Sequence, residues 1–237
     1  MYRLVIFFVT VLVSQSFPVF SQGTFQNLNF EEAFLVPIPG AGLGRVQFAP
    51  AFPGWTGYVG GVQESAALYN NVYLDSSGIS LIDFGWPIFP RVIQGNFTAV
   101  LQAGWRLNVF EPADTTLAQT GQVPAGTQSL QFRAFPDLGI SDSFAVSLGG
   151  QTLSLIPLAT DANYTTFGAD IHSWAGQTAE LGFTVFAERP HQRNVNLYLD
   201  SIQFSTQPIP EPSAFGLFAL GTLLLGWRFA WTRKKST

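Results

Sequence analysis

Two sets of side chains in this 237-residue sequence have the type for chemistry or recognition: scattered carboxylates with two histidines, and flat aromatics. Glu31, Glu32, Glu64, Asp75, Asp83, Asp170 and Asp200 could do general acid–base work only if two of them met a few ångströms apart across a cleft. No spacing singles out such a pair, and as turn, cap or solvated strand residues they need no further role. A Ser-His-Asp triad would have to use His172 or His191, and no nucleophile-elbow motif accompanies either. The chain has no cysteine, which excludes thiolate nucleophiles, thiolate zinc sites and iron–sulfur clusters. No catalytic residue is assigned, and the expectation is a non-enzymatic protein. Among the aromatics, core packing accounts for most of Trp86, Trp105 and Trp174. Trp55 and Tyr58 differ because they sit in the Gly-rich run Gly54–Gly61, expected to form an open loop that presents them to a sugar ring.

The elements that would position these residues alternate with period two, interrupted by Gly, Pro, Asn and Asp about every ten residues. Thr127–Phe135 puts Leu130, Phe132 and Ala134 on one face and Gln131 and Arg133 on the other. Ser143–Leu148 and Thr152–Leu158 flank Gly149-Gly150-Gln151, a hairpin turn whose glycines accept positive φ. Ala179–Glu188 and Val195–Ser205 alternate in the same way, while Ala169–Thr178 reads as a short helical turn begun by Asp170 and ended by Gly176. The fold class expected is all-β, an antiparallel β-sandwich of jelly-roll type over residues 22–206.

The two ends look unlike this body. Arg3, the apolar run Leu4–Val13 and the compact Val19-Phe20-Ser21 have the order of a signal peptide over residues 1–21, a helix removed by signal peptidase. Between Gln22 and Ile209 lie six arginines, no lysine and fourteen carboxylates, a net charge near −8. A surface of that sign has no footprint for phosphate backbones, so nucleic acid is excluded as a partner. Residues 207–237 form a third segment. Pro210, Glu211 and Pro212 stiffen the chain. An apolar stretch of about 213–231 then spans roughly 28 Å as a helix, one hydrocarbon thickness. Arg233, Lys234 and Lys235 close it on the cytoplasmic side by the positive-inside bias.

Pro210-Glu211-Pro212, the glycine-containing apolar helix and the terminal Arg-Lys-Lys resemble the PEP-CTERM sorting signal. Arg228 is a departure, because it shortens the uninterrupted apolar run. The resemblance implies a membrane-anchored precursor of a cell-surface or extracellular protein. It also implies recognition and cutting by a membrane-embedded exosortase, in bacteria that make extracellular polysaccharide. The body resembles galactose-binding-like and carbohydrate-binding jelly rolls. The strings that carry this are Asn29-Phe-Glu-Glu32, Pro53-Gly-Trp55, the Asp170 turn with Ala175-Gly-Gln-Thr178, and Leu197–Phe204. That resemblance implies a structural Ca²⁺ where first and last strands meet, held by Glu31 or Glu32 and Asp200. It also implies polysaccharide as the body's partner. A secreted hydrolase or lyase and a self-associating coat protein are the other readings.

Overall fold

The computed structural model describes residues 24–73, 76–87, 92–106, 111–136, 144–187 and 194–209. The signal-peptide and sorting segments, Asp75 and His191 lie outside the described residues. Among the described residues no helix is long and apolar enough to cross a membrane.

Among the described residues, fifteen strands make nearly all of the regular structure. They are β1 (Arg45–Gln47), β2 (Thr56–Val59), β3 (Val62–Gln63), β4 (Ala66–Tyr69), β5 (Gly78–Ile82), β6 (Thr98–Trp105), β7 (Pro112–Ala113) and β8 (Thr115–Gln122). β9 (Ser129–Pro136), β10 (Phe144–Leu148), β11 (Gln151–Thr152), β12 (Ile156–Thr160), β13 (Thr165–Asp170), β14 (Thr178–Val185) and β15 (Val195–Ser205) follow. One helical turn, α1 (Phe48–Ala51), and a 3₁₀ turn, His172–Trp174, interrupt them. The strands form a sandwich of two sheets. The larger runs β1-β4-β5-β6-β15-β9-β13-β12 with β7 beside β6, and the smaller runs β11-β10-β14-β8-β2-β3. Pairing is antiparallel except between β4 and β5.

The alternation visible in β9 sends Leu130, Phe132 and Ala134 inward, where they meet Phe183, Leu181 and Leu117 of the small sheet. Glycine makes the closest approach possible: a Cβ on Gly57 would lie 2.5 Å from both Phe48 and Ile79. β6 shows no alternation and is buried along almost its whole length. The large sheet carries a second apolar cluster on its outer face, where Ile82, Trp86, Val100 and Tyr198 pack beneath Val72, Ile93 and Phe135. With both faces covered, a strand reads as a continuous apolar run.

Two expectations need correction. The strand expected over Thr152–Leu158 is split: after the Gly149–Gly150 turn (φ 58° and 77°), β11 stays in the small sheet and β12 joins the large one. The buried Leu153 makes the crossing. The Gly-rich run 54–61 is likewise no open loop. It forms β2 and a tight turn at Gly60–Gly61 (φ 56° and 76°) leading into β3.

Candidate functional site

The outer face of the large sheet holds the most developed polar site, and it begins at Asp200. Register places Asp200 opposite Arg133, whose side chain lies on the face away from the core. β15 then bulges between Asp200 and Gln203, with Ser201 at a φ of 51°. Asp200 is fully buried because residues 92–97 lie across it. Its Oδ2 accepts from the Gln94 N–H at 3.1 Å and the Thr98 hydroxyl at 2.8 Å, and its Oδ1 accepts from the Ser201 N–H at 2.6 Å. Burial outweighs these donors and pushes the carboxyl up to about 6, well above the ordinary 3.8.

Glu31 braces the same loop from the other side. Its Oε1 accepts the N–H groups of Asn96 and Phe97 at 2.8 and 3.0 Å, and its Oε2 accepts the Asn96 side-chain amide at 2.8 Å. The fit depends on Gly95, whose φ is 65° and whose position leaves no room for a Cβ against the Glu31 carboxylate.

The braced loop presents Gln94 to a groove of about 390 Å³. Gln94 Oε1 accepts from the Ser201 hydroxyl at 2.8 Å and from the Arg133 guanidinium. Arg133 also stacks over Tyr164, its Cζ 4.9 Å from the ring centroid. Thr166 stands opposite Arg133, and Gln203 opposite Gln131. Asn29 closes one side. The result is a shallow trough of amides and hydroxyls around one immobilised arginine. Beside it, Ile209 and Leu158 sit on Gly168, which pairs with Gln131.

The carboxylates expected to share a cation are placed differently from a calcium cage. Glu31 and Asp200 do approach one loop, but six N–H and O–H donors already point at their oxygens. Glu32 is exposed, and its N–H bonds Asn27 Oδ1 at 3.0 Å. Among the described residues no three His, Asp or Glu side chains gather where a metal ion would fit. Ca²⁺ takes six to eight oxygen ligands. A donor-filled brace does not fit it.

The two aromatics expected at a sugar site are separated. Trp55 is 5% exposed, donates its indole N–H to the Asn27 carbonyl at 3.1 Å, and packs against Phe30 and Phe183. Only an edge of the ring reaches the surface, where it lines a depression with Thr56 and Gln63. Tyr58 is half-buried on the small sheet, opposite Thr116 and Gln63. Trp86 belongs to the outer apolar cluster, and Trp174 lies in the 3₁₀ turn. Asp170 holds the exposed His172, accepting its N–H at 3.0 Å with Nδ1 2.7 Å away, and these bonds keep the Asp170 carboxyl below its ordinary range. Asp83 bonds Tyr69, Asn70 and the Gly85 N–H. Burial, and then Asp83, pushes the Tyr69 hydroxyl up to about 12.

Gln94, Gln131, Arg133, Thr166 and Gln203 were not among the sequence candidates. Alternation does put Gln131, Arg133 and Gln203 on polar faces; only cross-strand register brings them together.

Comparison with known proteins adds a separate observation at the chain's end. No curated protein matches the chain. The chain is similar to two solved structures, among others. TmCBM61 in complex with beta-1,4-galactotriose is 12% identical, covering 79% of this chain and 100% of that one, with a TM-score of 0.43. The K2 cleaved adhesin domain of Lys-gingipain is 15% identical, covering 73% and 98%, with a TM-score of 0.41. Residues 208–234, which begin shortly after the end of β15 and include Ile209, match the PEP-CTERM protein-sorting motif, and the chain is therefore an exported protein sorted by an exosortase.

Proposed function

We propose that the exported body is a non-catalytic module that binds extracellular polysaccharide in the groove of Gln94, Gln131, Arg133 and Gln203. The observation that supports this reading is the convergence of planar amides and hydroxyls around the fixed Arg133–Tyr164 plate. Sugar hydroxyls both donate and accept, and an amide offers a donor and an acceptor in one plane. Bracing by Glu31 and Asp200 reduces the ordering required on binding, which matters where a flexible polymer is the partner. The groove does not have the chemistry of a glycosidase, which needs two carboxyls flanking the scissile bond. Asp200 lies beneath it with no exposed atom. In this reading signal peptidase removes residues 1–21, the 213–231 helix anchors the precursor, and the body works at the cell surface.

The test is calorimetric titration of the full-length chain in detergent against neutral and acidic polysaccharides. Expected is saturable binding that falls about tenfold, roughly 1.4 kcal/mol, in Gln131→Ala, as for the loss of a ligand hydrogen bond. Absence of binding to every polymer, or binding indifferent to Gln131→Ala and Gln203→Ala, overturns the proposal. Release of reducing ends during incubation overturns its non-catalytic part.

A further inference from the structure

A second cavity lies at the open edge of the sandwich, between β1, β4 and β5 of the large sheet and the β2–β3 hairpin of the small one. Its volume is about 260 Å³, near the lower limit of roughly 300 Å³ for small-molecule sites and enough for one sugar ring. The described residues include three arginines, and two of them, Arg45 and Arg106, line this one cavity. Arg45 is held in place: its Nε and Nη2 donate to the Tyr73 hydroxyl at 3.1 and 2.8 Å, and the Tyr73 ring lies against Gly78. The Arg106 stem runs along Gly60, its Cδ 3.7 Å from where a Cβ would be. Glu64 stands between them on the strap that links β3 to β4, fixed by its N–H to the Gly57 carbonyl at 2.9 Å. Among the described residues neither arginine forms an ion pair within 4.0 Å, and the guanidinium of Arg106 makes no hydrogen bond.

This placement runs against the character of the body. A chain segment with net charge near −8 and no lysine turns two guanidiniums into a single cleft. With Glu64 ionised, the three groups carry a net +1. Burial holds the Glu64 carboxyl above its ordinary range, and Arg106 and then Arg45 offset only part of that rise. A guanidinium matches a carboxylate through two parallel N–H···O bonds. A single negative charge balances the site, whereas a phosphate dianion would face Glu64 with one charge uncompensated. Glu64 is an acceptor suited to hydroxyl donors beside the bound carboxylate. On the far side of Glu64 and Ser65 a depression of about 590 Å³ opens, lined by Gln47, Thr56 and Gln63 and by the apolar Phe48, Pro50 and the edge of Trp55. It offers space for the next unit of a chain.

We infer that the Arg45–Arg106 cavity binds the carboxylate of a uronic acid residue at the end of an acidic polysaccharide. The inference shares with the groove only the idea that the partner is a polysaccharide. The site, its residues and its ligand charge are independent of Gln131 and Gln203.

The experiment titrates the full-length chain in detergent with glucuronate- and galacturonate-ended oligosaccharides, with the matched neutral oligosaccharides, with acetate and with inorganic phosphate. The uronate-ended ligands are expected to bind at least tenfold tighter than the neutral ones. Arg106→Ala is expected to lose that preference, Arg106→Lys to lose most of it, and the groove variant Arg133→Ala to keep it. Among the described residues the Arg106 guanidinium has no hydrogen bond to lose, so its variants are expected to melt within a few degrees of wild type, a control that Arg45→Ala does not offer. Equal affinity for neutral and uronate-ended ligands overturns the inference. So does tighter binding of phosphate, acetate binding as strong as uronate binding, or loss of the preference in Arg133→Ala but not in Arg106→Ala. Loss of neutral-polymer binding in Gln131→Ala with the uronate preference intact separates failure of one site from failure of the other.

Discussion

Replacing Asp200 by Asn tests whether a buried carboxylate braces the groove at an electrostatic cost. In the folded protein its carboxyl stands at about 6 against an ordinary 3.8, with burial as the largest cause and the Thr98, Gln94 and Ser201 donors opposing it. Below about pH 3.8 Asp200 is neutral in both folded and unfolded chains and contributes no pH dependence. Between the two values the folded state holds a proton that the unfolded state has released, so stability falls as pH rises. The fall is complete above about 6. A shift of 2.2 pH units corresponds to about 3 kcal/mol at 1.36 kcal/mol per unit. Asn does not titrate, and it faces N–H and hydroxyl donors with an amide that can accept at only one of its two atoms. Asp200→Asn is therefore expected to be the less stable chain at low pH, and wild type to lose ground against it by up to about 3 kcal/mol between pH 3.5 and 7.5. For a domain near 190 residues that is roughly 6–12 °C in relative Tm. Differential scanning calorimetry of both chains at unit pH intervals reads it, and the difference between them cancels the titration of every other carboxylate. A gap constant with pH would show that folding leaves the Asp200 carboxyl unperturbed. Wild type gaining on the variant as pH rises would show that the hydrogen-bond donors dominate burial, and the reasoning would fail.

Other perturbations separate the brace from the alternatives. Gly95→Ala combines a positive φ with a Cβ driven into the Glu31 carboxylate, and is expected to cost about 1–3 kcal/mol in chemical denaturation. Trp55→Ala is expected to lose about 3–5 kcal/mol of stability, as a buried aromatic does. Trp55→Phe is expected to bind polysaccharide as wild type does, contrary to a role as a sugar platform. Because N–H donors occupy Glu31 and Asp200, chelation by EDTA or addition of Ca²⁺ is expected to leave the melting temperature unchanged within about a degree. A Ca²⁺-dependent rise of the size that saturating ligand gives, about 3 kcal/mol at a hundredfold excess over Kd, would contradict that assignment.

The second half of the body was the more legible in sequence. β9 and β14 have one face on the core and one toward solvent, so their alternation survives, and Gly149–Gly150 marks its hairpin; on β15 the outward Tyr198 and Asp200 are buried as well. β6 and β5 gave no such signal, because the second apolar cluster covers their outer face and erases the polar positions. The run 54–61 misled because its glycines serve close packing at Gly57 and a turn at Gly60–Gly61, two uses that composition alone cannot separate from an open loop. Glu31 and Asp200 both bond residues of the 92–98 segment. Their partners were not legible, since a carboxylate that takes N–H groups and one that takes a cation look alike in sequence. The groove was hidden for a different reason: Gln94, Gln131, Arg133 and Gln203 come from four separate segments, joined only by strand register and the Asp200 bulge.

The most direct measurement is a map of backbone amide shifts in the labelled protein during titration with a polysaccharide fragment that binds. Perturbations are expected to concentrate at Gln94, Gln131, Arg133, Thr166, Ser201 and Gln203 for a neutral fragment, with the small sheet around Tyr58 and Thr116 silent. Perturbations centred on Tyr58 and the small sheet, or spread without a focus while binding saturates, would contradict it.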